Sequence, residues 1–246
     1  MSHPVRTVDR RARSSARPVT SRQPLPPTWV LKMALAVTGT VFVAFAVFHL
    51  FGNLKVFLGK DELNHYAFWL QRDLLAPLVP EGWFVWIFRA VLTLCLVVHV
   101  CAAVVVRCRA RRARGPYPRR RLRGVRAFQA RSMMVTGTVL LLFVVFHVLD
   151  LTVGAAPVAS DRFEHGNAYD NLVHSFERPV VALFYVAAMV VLLLHVAHGL
   201  WSVVNDLGGT GRRLRAVAAA LAGVVGIALL LGNALIPLAV LTGAVS

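Results

Sequence analysis

The sequence predicts an all-α protein, a polytopic membrane helical bundle of five transmembrane helices. Composition, span length and the placement of charge all lead there. Of 246 residues, 57% are hydrophobic and 15% charged, a balance that excludes an ordinary soluble domain. Five apolar stretches are each long enough to cross a ~30 Å hydrocarbon core as a helix. The formal charge of +16 is also segregated. The first 32 residues, 107–131 and 205–215 hold 21 Lys/Arg against two acids, whereas 52–89 and 150–178 hold six against nine. The positive-inside rule then places the N-terminus and both basic loops in the cytoplasm, and five crossings leave the C-terminus outside. The arginines read as a topology signal and a contact for lipid headgroups. Nucleic acid is not an expected partner, because no folded soluble module carries the charge.

Taken in order, residues 1–28 are rich in Arg, Ser and Pro and lack apolar periodicity, so a disordered basic cytoplasmic tail is expected. The tail has no apolar core with a small-residue cleavage site, and is not a signal peptide. Residues 29–246 form the expected transmembrane, cofactor-binding domain. Trp29 and Lys32 are interfacial anchors, and span 1 runs from Met33 to Phe51. A mixed polar and aromatic connection follows, with an amphipathic helix expected in it. Trp83 and Trp86 mark the next interface, and span 2 is Phe84 to Val106, with Arg89 near its start. Residues 107–131 contain eleven arginines and no acid. Span 3 is Ser132 to Val153, and a polar connection from Gly154 leads to span 4, Pro179 to Gly208. Span 5 begins at Ala216, with Asn233 and Pro237 its only interruptions. Cys95, Cys101 and Cys108 all lie on the second apolar stretch. An odd number on one helix is no disulfide framework, and small packing residues are the plain reading.

Four spans carry histidine, and an ionisable group inside a membrane is costly enough to mark a functional site. At a rise of ~1.5 Å per residue, His49 and His147 lie roughly 24–25 Å beyond Lys32 and Arg131, towards the outer side. His99 lies roughly 12 Å before Arg107 and His195 roughly 16 Å before Asp206, towards the inner side. Two pairs result, His49 with His147 and His99 with His195, each drawn from two helices. Bundle cofactors are held by side chains on facing helices. Two neutral imidazoles make a six-coordinate haem iron suited to electron transfer, with no open position for oxygen. Gly52 near His49, Ala102 and Ala103 near His99, Gly137 below His147 and Gly199 near His195 would let a flat porphyrin approach the backbone. His198, three residues from His195, is the alternative ligand or a hydrogen-bonding neighbour. His65, His165 and His174 are expected on the solvated outer surface. Polar groups at the inner ends, Ser132, Ser202 and Asp206, and Arg89 at the outer end are unranked candidates for contact with a quinone.

The segments HLFGNLKVFLGKDELNHYAFWL after span 1, FRAVLTLCLVVHVCAA in span 2, MMVTGTVLLLFVVFHVLDLTVG in span 3 and FERPVVALFYVAAMVVLLLHVAHGLWSVVNDLG in span 4 resemble a known family. It is the membrane-anchor cytochrome b subunit of succinate dehydrogenase and fumarate reductase, respiratory complex II. The likeness is greatest to its single-chain, five-helix, two-haem branch, often called the cytochrome b558 type. The segment from His195 through Gly199 to Asp206 is similar to the family's haem-ligand helix, which favours His195 over His198. The resemblance implies a multi-pass protein of a bacterial cytoplasmic membrane, with a flavoprotein subunit and an iron–sulfur subunit docked on the cytoplasmic face. Electrons would pass from the iron–sulfur subunit through two b-type haems to a membrane quinone, with succinate chemistry left to the partners. The fumarate reductase direction is the alternative.

Two departures follow. Where branch members that couple proton movement carry a glutamate beside the span-4 ligand, this chain has Leu194. Cysteines also flank His99, so Cys95, Cys101, His99 and His195 form the ligand inventory of a Rieske-type [2Fe–2S] centre at the inner site. Six residues of straight helix would hold those cysteines ~9 Å apart and point them differently, so a regular version needs a broken helix or a partner's cysteine. Two further function classes compete, a proton-relay transporter and a non-redox scaffold with interhelical histidine bonds. The expected span interiors hold no Asp, Glu or Lys, and no inverted repeat is evident.

Overall fold

The computed structural model describes residues 26–76, 78–115, 125–209 and 211–246, without the side chains of 125–127, 129 and 130. Most of the expected tail and the centre of the 107–131 loop lie outside the described residues. Among the described residues there is no strand.

Among the described residues seven α-helices follow one another: α1 (Thr28–Asn53), α2 (Lys60–Arg72), α3 (Trp83–Arg114), α4 (Val125–Val148), α5 (Ala168–Phe176), α6 (Pro179–Asp206) and α7 (Arg212–Leu241). Five of them, α1, α3, α4, α6 and α7, are long and apolar enough to cross a membrane. Their flanks are apolar and uncovered, as a lipid-facing surface requires, with Phe48, Leu142 and Val180 among the most exposed. α3 runs past the expected end of span 2, so Arg107–Arg114 extend the helix rather than start a loop.

α1 packs on α3, α4 on α6, and α6 on both α1 and α7. Small residues set the closest approaches. A Cβ at Gly226 of α7 would come within 2.6 Å of Leu193 Cδ1 on α6, and one at Gly232 within 2.6 Å of Leu50 Cδ1 on α1. Asn233, an expected interruption of the last span, receives a 3.3 Å hydrogen bond from Asn53 Nδ2 and gives one of 2.9 Å to Leu229 O, so neither amide is left unmet in the bundle.

The outer end carries more structure than a polar connection. α2 is the expected amphipathic helix. α5, which was not expected, is capped by Asn167, whose side chain accepts from the Asp170 backbone N–H. Its Tyr169, Leu172, Val173 and Phe176 are buried in the main core with Tyr185 of α6 and Ile236 and Val240 of α7. Spacing of three and four residues puts these four on one helical face. α2 and α5 are tied by Lys60 Nζ to Asp170 Oδ2 at 2.5 Å and by Asn64 Nδ2 to Asn167 Oδ1 at 3.2 Å.

The third span ends at Val153, as expected, but α4 does not keep α-helical geometry to that point. It continues as a π-helical turn, Leu149–Val153, before Gly154 leaves in the left-handed region at φ 71°. A side chain at Gly154 would collide with the Phe163 ring. The π turn carries Asp150 into the core, where it is 1% exposed. This corrects the expectation that the span interiors hold no Asp, Glu or Lys, because Asp150 lies within the expected third span. The carboxylate is met by Arg178 Nη2 at 2.7 Å, Ser175 Oγ at 2.6 Å and Tyr185 OH at 2.9 Å. Buried charge persists only with such partners.

Candidate functional site

The outer pair meets. His49 on α1 and His147 on α4 have ring centroids 5.9 Å apart, nearly perpendicular. Each rests on a phenylalanine one helical turn earlier, His49 on Phe45 at 5.2 Å and His147 on Phe143 at 5.8 Å. α1 and α4 are not among the helix pairs that pack closely, so the imidazoles meet across a gap between backbones.

His147 also has a polar partner. Tyr185 OH lies 3.4 Å from its Nδ1 and 2.9 Å from Asp150 Oδ2. The carboxylate can only accept, so the tyrosine proton goes to Asp150 and the phenol oxygen accepts from His147 Nδ1–H. Nε2 is then the nitrogen left with a lone pair. The π turn therefore has a purpose in this site, because it sets the carboxylate that orients the tyrosine.

The inner pair is on α3 and α6, which likewise lack close backbone packing. Each imidazole takes a hydroxyl partner from the helix packed beside it. Thr38 Oγ1 of α1 is 2.8 Å from His99 Nδ1, and Thr136 Oγ1 of α4 is 3.0 Å from His195 Nδ1. The glycine after each threonine lets the ring lie against the helix. A Cβ at Gly39 would be 3.5 Å from His99 Cε1, and one at Gly137 3.3 Å from His195 Cε1. Gly137 therefore serves His195, not His147 as expected. Gly52 does not open a path to His49 either, because a Cβ there would strike the Tyr66 ring at 2.7 Å. Gly199 fits the expectation, with nothing within 4 Å of the place its Cβ would take.

His198 is on the same face as His195 and is 9% exposed. Its Nδ1 is buried without a hydrogen-bond partner among the described residues, beside the Trp201 ring at 5.9 Å. His65 and His165 are exposed as expected, but His174 is not fully solvated, since α5 carries its Nδ1 into a buried position.

Of the other candidates, Cys95 is half-buried, and Cys101 and Cys108 are exposed, all three as free thiols. α3 is unbroken through them, so Cys101, two residues beyond His99, turns to the opposite side of the helix. Among the described residues no three His, Cys, Asp or Glu side chains gather as a metal-ligand cluster. Asp206 is bound to Lys32 at 2.7 Å. Arg89 lies over the Trp86 ring and lines a cleft of about 190 Å³ with Gln71, Arg72 and Val85 at the outer end.

The donor set fits haem better than a cluster. It consists of paired imidazoles, with Cys95 one helical turn from His99 but no third ligand-type side chain gathered with them among the described residues. At the outer level His49 and His147, which face each other at 5.9 Å, would hold such a group. The gaps between α1 and α4 and between α3 and α6, the open space at Gly199 and the unmet Nδ1 of His198 suit a flat group with polar edges.

Residues 126–235 match the model of a family described as succinate dehydrogenase/fumarate reductase transmembrane subunit. The match spans less than half of the chain, and it is this part of the chain that is similar to that family. The match takes in α4, α5, α6 and most of α7, hence His147 and His195 and the threonine, tyrosine and aspartate that serve them. No curated protein and no solved structure matches the chain. The matched stretch is thus similar to a membrane subunit of complex II, and the five long apolar helices fit a multi-pass membrane protein.

Thr38, Thr136, Tyr185 and Asp150 were missed from sequence, yet a signal for the threonines was present. Val37-Thr38-Gly39-Thr40-Val41 recurs as Val135-Thr136-Gly137-Thr138-Val139, with Phe45, Phe48 and His49 answered by Phe143, Phe146 and His147. The two segments align without a gap and both run into the outer pair. It is a parallel repeat, which a search for inverted symmetry passes over.

Proposed function

We propose that this anchor carries electrons from a docked iron–sulfur subunit to a membrane quinone, in a succinate dehydrogenase of the two-haem, single-chain branch. His49 and His147 would hold one b-type haem near the outer side, and His99 and His195 the other near the inner side. When bound, the haems supply one-electron transfer at two depths in the bilayer. The chain's own residues do the rest. Facing helices α1 and α4, and α3 and α6, present paired imidazoles across gaps wide enough for a flat group. Thr38, Thr136 and Tyr185 accept the Nδ1 protons of His99, His195 and His147. The phenylalanines at 45 and 143 back the outer rings and keep water from them.

What carries this reading is the 5.9 Å facing of His49 and His147 across a gap between helices that do not pack together. The similarity of residues 126–235 to the complex II transmembrane subunits supports the association with the other subunits of that complex. The flavoprotein and iron–sulfur subunits would dock on the side of the basic ends of α3 and α4, taken as cytoplasmic from their charge. The membrane would be the inner membrane of a bacterium.

The test is the reduced-minus-oxidised visible spectrum of the purified complex with its succinate:quinone and quinol:fumarate rates. His49→Ala and His147→Ala should remove the same haem, and His99→Ala and His195→Ala the other. Cys95→Ala with Cys101→Ala should leave both. A spectrum in which His49 shares its phenotype with His99 would break the pairing. A complex with no α-band, whose iron leaves with the cysteines, would overturn the haem reading in favour of a Rieske-type inner centre.

A further inference from the structure

The threonines 38 and 136 occupy equivalent places in the repeat, and each reaches the histidine of the helix packed against its own: α1 to α3, and α4 to α6. A hydroxyl has one proton to give. Thr38 Oγ1 lies 2.6 Å from Ala34 O, four residues back in the same helix. Thr136 Oγ1 lies 3.1 Å from both Ser132 O and Met133 O. A carbonyl can only accept, so each hydroxyl proton is directed to its own helix. The contacts of 2.8 and 3.0 Å to the imidazoles then need their hydrogen on Nδ1. With Nδ1 protonated, the neutral ring keeps its lone pair on Nε2.

We propose that Thr38 and Thr136 are positioning residues, one in each of two like halves (α1 with α3, α4 with α6), and that each fixes its neighbour histidine, His99 or His195, as the Nδ1–H tautomer with Nε2 free. The following glycines complete the device. Gly39 and Gly137 let the ring lie flat enough against the helix for the hydroxyl to reach it. At the outer level the same result is reached by other residues, because Tyr185 OH is spent on Asp150 and accepts from His147. One rule therefore governs three imidazoles on two levels: the oxygen beside Nδ1 has already given its proton elsewhere. Such outer partners fix the tautomer and orientation of a ligating histidine and raise its basicity. The tautomer assignment stands on these distances alone. Its service to a ligated iron rests on the haem reading above.

Two measurements separate the two. The first uses chain labelled with ¹⁵N-histidine and purified without cofactor. Its nitrogen spectrum should show His99 and His195 as Nδ1–H tautomers, with resonances identified by their loss in His99→Ala and His195→Ala. Thr38→Val should release His99 into a mixture of tautomers, Thr136→Val should do the same for His195, and Thr→Ser at either place should hold the parent state. The second is a potentiometric titration of the assembled complex. Each valine change removes an acceptor from a ligand N–H, makes that imidazole a poorer donor to ferric iron, and should raise the midpoint potential of the same single haem, with the other unmoved and the serine variants at the parent value. Finding the Nε2–H tautomer in the parent chain overturns the proposal without need of any variant, and serine behaving like valine in either measurement overturns it as well. Valine variants that leave both tautomer and potential unchanged also overturn it. A complex without haem refutes the function proposed above, while the nitrogen spectrum still decides this one.

Discussion

At the scale of single residues, Asp150 shows how much one side chain can hold together. Its carboxylate is fully buried, Arg178 is its charged partner, and Ser175 and Tyr185 supply two hydroxyls. Arg178 Nη1 also donates to Val158 O at 2.7 Å, which ties the connection after the π turn to the start of α6. Replacing Arg178 by Ala leaves the carboxylate with neutral donors only, and breaking a buried pair in this way costs about 3 kcal/mol. The thermal midpoint in detergent should fall accordingly, and the band of the haem proposed at His49 and His147 should weaken with it, because Tyr185 loses a fixed acceptor. A midpoint equal to the parent's would show that the carboxylate is held well enough by its hydroxyls. The sequence hid this group for a physical reason. A single acid after an apolar run looks like the water side of an interface, and nothing in the letters announces that the helix adds five π-helical residues and turns the acid inward.

At the scale of elements, the transmembrane helices were legible because length and apolarity alone specify them, and the histidine depths followed from helical rise. α5 was not, being nine residues long and flanked by polar groups. Its signs were nonetheless present: an Asn cap, then apolar residues at 169, 172, 173 and 176, one face of a short helix. The tie between α2 and α5 makes a pH prediction. Asp170 is held below the ordinary aspartate value by its hydrogen bond from Lys60 and by the Asn167 amide and the Lys60 charge, against some opposition from burial. Lys60 is raised by the same bond. A lowered acid contributes stability above its unfolded pKa, near 3.8, and loses it as pH falls through the folded value. The raised lysine contributes below about 10.5 and loses it only as pH rises through its folded value. The tie should therefore hold through the neutral range and loosen below about pH 4. Spin labels on the exposed positions His65 and Asp161 should move apart on acidification, and Asp170→Asn should show the wider spacing at neutral pH. A spacing that ignores acid in the parent would show that packing alone seats α5.

At the scale of the whole molecule, orientation is what charge predicts and coordinates alone do not display. In a cysteine-free background, Ala113→Cys at the basic end of α3 should resist a membrane-impermeant maleimide added to intact cells, and Asp161→Cys in the acidic outer connection should react. The reverse would invert the depth order of the two histidine pairs. The doubled design has a consequence for how the chain can be divided. Only the segment between α3 and α4 joins the two like halves covalently, whereas α6 holds α1 by side-chain packing and holds α7 as well. A gene split at that segment would yield two polypeptides, each with a matched pair of spanning helices and each entering the membrane in the same sense. Produced together, they should find each other and be recovered as one particle with the spectrum of the uncut protein, whereas either fragment made by itself would carry one imidazole of every pair and show no band at all.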